Sequence, residues 1–254
     1  MRLKSKRLVS LLLAGSMMLS MVPASAVTAF AGGAGSSVVS SEGETEEVPT
    51  VTVSVSGGLE QAFETLIGKG QISTITKLAV KTENGAVLTT SDFQFLNTGL
   101  SALQELDLTD AACENDTIPA RAFVNNNHIA CVFLPKTLKH IKRSAFSSMN
   151  SLSYVGTREG KVQGKIIFPN ELLEIAQSSF WSNSKSATSA LTGELILPQN
   201  LKILGPNAFD WTKVTGNIVI RADMELPETD EVDENGNHGV HSATFEGTGI
   251  TSLT

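Results

Sequence analysis

Three stretches of the sequence align without gaps: LPKTLKHIKRSAF (134–146), FPNELLEIAQSSF (168–180) and LPQNLKILGPNAF (197–209). Each begins with a bulky apolar residue and Pro, places aliphatic residues three and six positions after that Pro, and ends with Phe. An aliphatic residue also stands five positions before each of six phenylalanines. These pairs are Leu88 and Phe93, Ile118 and Phe123, Ile141 and Phe146, Ile175 and Phe180, Leu204 and Phe209, and Val240 and Phe245. Recurrence in step predicts a repeat architecture.

A second motif with the spacing L-x-x-L-x-L lies between these stretches. Its copies are Ile75-Leu78-Val80, Leu103-Leu106-Leu108 and Ile129-Val132-Leu134, and then, with one extra residue in the first gap, Val162-Ile166-Phe168, Leu191-Leu195-Leu197 and Val214-Ile218-Ile220. The last two positions of each copy alternate, as they do along a short strand that buries one face. Each copy therefore has an apolar edge that only the stacking of neighbouring copies can bury.

Together the two motifs resemble the BspA-like branch of the leucine-rich repeats over residues 75–254. The resemblance implies an α/β repeat that is mostly β: a right-handed leucine-rich-repeat solenoid with one parallel strand per coil. Short helical or 3₁₀ turns would complete each coil, and a Phe would plug it. Because such repeats occur in surface-exposed and secreted bacterial proteins, the resemblance also implies adhesion to a protein or glycan, such as a host surface or matrix.

The first 74 residues divide into three segments. A basic start, an apolar run of about fifteen residues and the small residues Ala24-Ser25-Ala26 predict a signal peptide over residues 1–26. Gly, Ser, Thr and Glu dominate the next segment, which predicts a flexible linker over residues 27–50. Alternating valines from Val51 and an amphipathic stretch from Leu59 to Ile67 predict a strand and a helix that form an N-terminal cap over residues 51–74.

The charge balance excludes some partners. Four of the 19 basic residues lie in residues 1–26, so the remaining chain carries 15 basic and 26 acidic residues, a net charge of −11. Such a surface repels the phosphates of nucleic acids. The apolar run is also shorter than the roughly twenty residues of a membrane-spanning helix. We therefore expect a secreted or cell-surface protein without nucleic-acid partners and without membrane insertion of the mature chain.

No motif predicts catalysis, a cofactor or a metal. Nucleophile-elbow, zinc-protease and phosphate-loop patterns are missing from the sequence. Residues 231–237 resemble the start of a calcium-binding loop, but Ser242 stands where a bidentate Glu would be required, and His238 and His241 lack a third ligand. Cys113 and Cys131 are expected either to bridge neighbouring coils or to be two small buried residues. The sequence predicts a protein that is not an enzyme.

The outward positions of the strands provide the candidate binding residues. In a sheet open to water, the residue between the last two core positions should be polar. Asp107 fits this rule, whereas Phe133, Ile167, Ile196 and Val219 are apolar. We expect the apolar four to lie side by side in a row on the outer face and to form a contact patch, with Asp107 as a further candidate binding residue on that face. The alternative is that another segment or chain covers this face.

The predicted function is therefore a secreted or surface-displayed binding module. The alternatives are a structural spacer and a targeting region of a longer surface protein or secreted hydrolase. The last repeat has begun its next strand at Ile250 and Leu253 when the sequence stops at Thr254. We accordingly expect either the N-terminal part of a longer protein or a full-length product with a frayed end.

Overall fold

The structure is a computed structural model that describes residues 48–182, 189–227 and 244–254. All of these residues belong to one compact unit, Glu46–Thr254. Several segments lie outside the described residues: the predicted signal peptide, most of the predicted linker, residues 231–237, the repeat position Val240, and the histidines His238 and His241. None of the described helices is long and apolar enough to cross a membrane.

Short strands dominate the described residues, with few helices. The strands are β1 (Thr50–Val53), β2 (Lys77–Thr82), β3 (Glu105–Asp110), β4 (Thr117–Ile118), β5 (Cys131–Phe133), β6 (His140–Ile141), β7 (Tyr154–Gly156), β8 (Lys165–Ile167), β9 (Glu174–Ile175), β10 (Thr192–Ile196), β11 (Ile203–Leu204), β12 (Lys213–Ile218) and β13 (Gly249–Leu253). The α-helices are α1 (Leu59–Leu66), α2 (Thr90–Gln94) and α3 (Arg158–Gln163). A π-helical turn spans Phe95–Gly99, and 3₁₀ turns span Lys69–Gln71 and Glu114–Asp116.

The strands form three sheets, and all their described pairings are parallel. One sheet has the order β1-β2-β3-β5-β7, a second has β8-β10-β12-β13, and a third has β4-β6-β9-β11. The first two adjoin, because the N–H of Thr157 donates to the carbonyl of Ile167 over 2.7 Å. Parallel pairing of short strands with few helices confirms the α/β repeat class.

Both sequence motifs supply the core. The middle position of the strand motif is at most 1% exposed in each of Leu78, Leu106, Val132, Ile166, Leu195 and Ile218. The aliphatic residues that precede the first five phenylalanines are fully buried, and four of them pair in register along the third sheet: Ile118, Ile141, Ile175 and Leu204. The buried residues of the strand motif and the aliphatic residues that precede the phenylalanines thus belong to one core.

The repeated phenylalanines form a continuous stack. The ring centroids are 5.8 Å apart from Phe93 to Phe123, then 5.4, 5.3, 5.0 and 5.8 Å apart on to Phe146, Phe180, Phe209 and Phe245. The first five of these rings are at most 3% exposed. Each of the four inner rings therefore packs between the rings of the preceding and following copies.

One sequence assignment is wrong. Val162, predicted as a core position of the strand motif, is 88% exposed on α3. The equivalent core residues are Leu152 and Val155, on and just before β7, and both are buried. Leu152 follows Phe146 by six residues, the same interval as from Phe123 to Ile129. The segment between Phe146 and β8 thus contains a further strand, β7, and then the helical insertion α3.

The N-terminal elements follow the prediction with two differences. Val51 and Val53 are buried on β1, but Val55 lies beyond the strand and is 72% exposed. Helix α1 buries Leu59 and Phe63, whereas Leu66 is 59% exposed. The apolar stripe of the helix is therefore narrower than its sequence indicates.

The cysteines are free thiols in separate places. Cys113 belongs to the main core, whereas Cys131 lies in a small cluster with Phe133 and Tyr154. Burial raises the pKa of the Cys113 thiol to about 12. Of the two alternatives from the sequence, the structure has the buried thiols.

Candidate binding site

The five predicted residues divide into two groups. Asp107 on β3 pairs in register with Phe133 on β5, and Ile167 on β8 pairs with Ile196 on β10. The neighbour of Phe133 on β7 is Gly156, so no apolar side chain links the two groups at that position. The residues therefore do not form one unbroken row.

The first group is a carboxylate set beside aromatic rings. Asp107 Oδ1 accepts hydrogen bonds from the backbone N–H of Thr109 over 2.9 Å and from its hydroxyl over 2.5 Å. Asp107 Oδ2 forms an ion pair with the guanidinium of Arg158. Asp107 is 7% exposed, so its charge is satisfied by these partners rather than by bulk water.

Two cations of α3 lie over the ring of Phe133. The Arg158 guanidinium carbon is 4.5 Å from the ring centroid and Lys161 Nζ is 5.1 Å from it. Lys161 Nζ is also 5.8 Å from the ring centroid of Tyr154 and 3.5 Å from a carboxylate oxygen of Glu105. Cations over an aromatic face are attracted by the negative charge of the ring surface. Helix α3 thus covers Phe133, which is only 4% exposed.

Local sequence places α3 on this face. The Thr157 hydroxyl accepts the N–H of Gly160 over 3.1 Å and begins the helix, and Gly164, at a φ of 68°, ends it. A Cβ on Gly160 would lie 2.6 Å from Tyr154 Oη and 2.7 Å from the carbonyl oxygen of Lys165. Glycine is therefore required for the helix to lie this close to the strands.

Burial and pairing also set the protonation of this group. Burial raises the pKa of Tyr154 to about 12, so its hydroxyl stays protonated and donates to the carbonyl of Thr157 over 2.5 Å. Burial raises the pKa of the Cys131 thiol as well. Lys161 Nζ donates to Cys131 Sγ over 2.9 Å. Although burial lowers the pKa of Lys161, this hydrogen bond and nearby charges raise it overall.

The second group is open to solvent. Ile167 is half-buried, Ile196 is 37% exposed and Val219, just beyond β12, is 58% exposed. The register of β10 with β12 pairs Glu194 with Thr215, which continued by two residues places Asn217 opposite Ile196. Val219 therefore stands further along the same face than Ile196. The apolar residues of this group are thus available for contact.

A cleft lies beside α3 at the ends of β3, β5 and β7. Its volume is about 590 Å³, within the usual range for ligand sites. It is lined by Thr109, Asp110, Leu134, Lys136, Thr157, Arg158, Glu159, Pro169, Asn170 and Glu171. Asp110 and Lys136 neutralise each other across 2.8 Å, and the pKa of Asp110 is lowered by this hydrogen-bonded partner. The cleft therefore adds carboxylate oxygens, such as those of Asp110, and the amide oxygen of Asn170 to the polar groups around Asp107.

The part of the chain that the structure describes has no candidate metal site. Within that part, no three His, Cys, Asp or Glu residues are placed to hold an ion. The described members of the acidic C-terminal segment include Asp223, which pairs with Lys202 over 2.5 Å and with Arg221 over 3.3 Å. That carboxylate is therefore engaged by basic side chains.

Four contributors were not predicted from the sequence: Glu105, Tyr154, Arg158 and Lys161. Tyr154 stands one residue before the core position Val155, where the six-residue interval from Phe146 would have placed an outward side chain. Arg158 and Lys161 belong to the helical insertion, and nothing in a repeat pattern specifies where an insertion lies.

A family model described as BspA type Leucine rich repeat region matches residues 89–226 in six copies. No match was found among curated proteins. The matched family consists of repeat binding modules, which are not normally catalytic. Repeats of this kind typically mediate protein interactions.

Proposed function

Because the chain belongs to the BspA-type leucine-rich repeat family, we propose that it is a secreted or surface-displayed, non-catalytic module that binds a protein or glycan. The observation that carries this proposal is the open second group on the outer strand face. Ile167 and Ile196 are neighbours in register, and Ile196 and Val219 are exposed. Exposed apolar side chains gathered on one face are typical of a contact surface.

The proposal includes the solenoid and its cap. Parallel ladders in register and a stack of phenylalanine rings support a right-handed coil that spans residues 75–254. Support for a cap over residues 51–74 comes from α1, which packs Leu59 and Phe63 against the first coil. Asp92 joins the two, because its carboxylate accepts the N–H of Leu59 over 2.9 Å and that of Thr89 over 2.8 Å. Such a cap would keep the first coil from exposing its apolar end.

Export is the remaining part of the proposal. The basic start, apolar run and small residues of 1–26 support a cleaved signal peptide, and the composition of 27–50 supports a linker. A module exported in this way would present its strand face outside the cell. Spacer and targeting roles would need no exposed apolar group on that face.

Binding arrays test the function directly. The full chain is applied to an array of purified matrix glycoproteins and to an array of free glycans, and the affinity for any partner is then measured with purified components. We expect Ile196→Asp combined with Val219→Asp to weaken binding by at least about tenfold, since buried apolar contacts dominate interface energies. Val55→Asp is the matched control, because Val55 is exposed but lies away from this face.

Two results would contradict the proposal. One is wild-type protein that binds nothing on either array, which favours the spacer. The other is equal affinity of the double variant and the control. Circular dichroism and the midpoint of thermal unfolding establish that each variant is folded.

A further inference from the structure

We propose that the outer face of β3, β5 and β7 binds a lysine or arginine side chain from a basic segment of a partner protein, at the position that Arg158 holds. This inference rests on the proposed binding function and gives the chemistry of the partner. It concerns an acidic-aromatic site, defined as Glu105, Asp107, Phe133 and Tyr154.

The acidic-aromatic site is built to receive a cation. The two hydrogen bonds from Thr109 fix one oxygen of Asp107 and leave the other turned toward the ring of Phe133 and its cations. Phe133 and Tyr154 stand with ring centroids 6.0 Å apart, and both are buried. A fixed carboxylate beside aromatic faces satisfies both preferences of a guanidinium, which are charge pairing and stacking.

The side chains of Arg158 and Lys161, which fill the acidic-aromatic site, lie at the solvent-exposed edge of that site. The side chain of Arg158 is 53% exposed and that of Lys161 is 41% exposed, although the side chain of Asp107 beneath them is only 10% exposed. Solvent therefore reaches the cations from outside, and so can a partner.

Helix α3 buries little apolar surface of its own. It has six residues, of which only Gly160 is buried, and Val162 on its outer side is 88% exposed. Segments that bury little apolar surface open at low free-energy cost. A basic partner can therefore displace Arg158 without disturbing the core.

Charge around the acidic-aromatic site favours a basic partner. Glu159 and Glu171 add two carboxylates to the lining of the adjoining cleft. The two basic residues of the cleft, Lys136 and Arg158, are each paired with an aspartate. With a chain net charge of −7, the field draws positively charged segments toward this cleft.

Peptide binding to the full chain tests the inference. The probes are a fluorescein-labelled peptide of four Arg-Gly units and an equally long peptide of Glu-Gly units, with fluorescence anisotropy as the readout. We expect the wild-type chain to bind only the basic peptide. Arg158→Ala should tighten binding by about tenfold because it removes the internal competitor, and Asp107→Asn should weaken it by about tenfold.

Asp116→Asn is the matched control. It removes one carboxylate from an exposed ion pair with Lys139 and changes the net charge by the same amount, but it lies away from the acidic-aromatic site. Equal affinity of Asp107→Asn and Asp116→Asn would overturn the inference, and so would unchanged affinity of Arg158→Ala.

Hydrogen exchange of the wild-type chain gives a readout that needs no variant. The basic peptide should accelerate exchange of the backbone amides of residues 158–163 and leave those of α1 unchanged. Unchanged exchange in α3 at saturating peptide would also overturn the inference. If the peptide tests fail but Ile196→Asp with Val219→Asp still weakens partner binding, only the inference about the basic segment is wrong. If the wild-type chain binds nothing on either array, only the proposed function is contradicted.

Discussion

Replacing Phe180 by Leu tests whether the phenylalanine stack stabilises the fold as a chain of ring contacts. Phe180 is 3% exposed, and its ring centroid lies 5.3 Å from that of Phe146, 5.0 Å from that of Phe209 and 5.7 Å from that of Phe168. Leu keeps the site apolar but removes all three ring pairs. At about 1 kcal/mol for each aromatic pair, the free energy of unfolding should fall by about 3 kcal/mol.

Phe245→Leu is the internal control. Phe245 stands at the end of the stack, is partly exposed and has one ring contact, with Phe209 over 5.8 Å. The same substitution there should cost about 1 kcal/mol.

Urea unfolding measures both costs. Fluorescence of Trp181 and Trp211, which lie near Phe180 and Phe209 in the chain, follows the C-terminal half of the array, and far-ultraviolet circular dichroism follows all of it. If the two signals change over the same range of urea concentration, unfolding is two-state and a single free energy of unfolding can be derived. Equal costs for the two variants, or a larger cost for Phe245→Leu, would refute the contact-by-contact account of the stack.

Two further predictions concern a glycine and a thiol. Gly205→Ala should lower the free energy of unfolding in urea by about 3 kcal/mol, because its Cβ would lie 2.3 Å from the backbone nitrogen of Gln177. A Cβ at Gly70 meets nothing within 4 Å, so Gly70→Ala should be neutral or stabilise by up to about 1 kcal/mol. Similar costs for the two variants would contradict this. The Cys113 thiol, with its pKa raised from 9.0 to about 12, should react with iodoacetamide at pH 8 about a thousandfold more slowly in the folded chain than in urea. Because the folded state holds this proton more tightly, stability should decline as the pH rises from 9 toward 12, and Cys113→Ala should lessen that decline.

The periodic part of the fold could be predicted from the sequence because the core is periodic. Leu106, Val132 and Ile141 occupy the buried faces that their spacing indicates. Val162 was misassigned because it matches the strand motif in residue type and nearly in spacing. Type and spacing do not distinguish a strand position from an exposed position on a helix, and only the packing of Leu152 and Val155 in the same repeat does so.

The candidate binding site was less predictable than the fold. Alternation along the strands correctly turns Asp107 and Phe133 away from the main core, since the stacked repeats determine both faces. Their partners come from an insertion, whose path depends on contacts that no repeat specifies. A sequence pattern therefore predicts which side chains face outward, but it does not predict that Arg158 covers them.

The separation of the two thiols has a consequence for folding. Cys113 and Cys131 lie in different apolar clusters, and the described fold contains no internal crosslink between them. Cohesion comes instead from hydrophobic burial and parallel ladders, which do not depend on the redox potential of the surroundings. Formation of the fold around Cys113 and Cys131 therefore requires no oxidant and no disulfide isomerase.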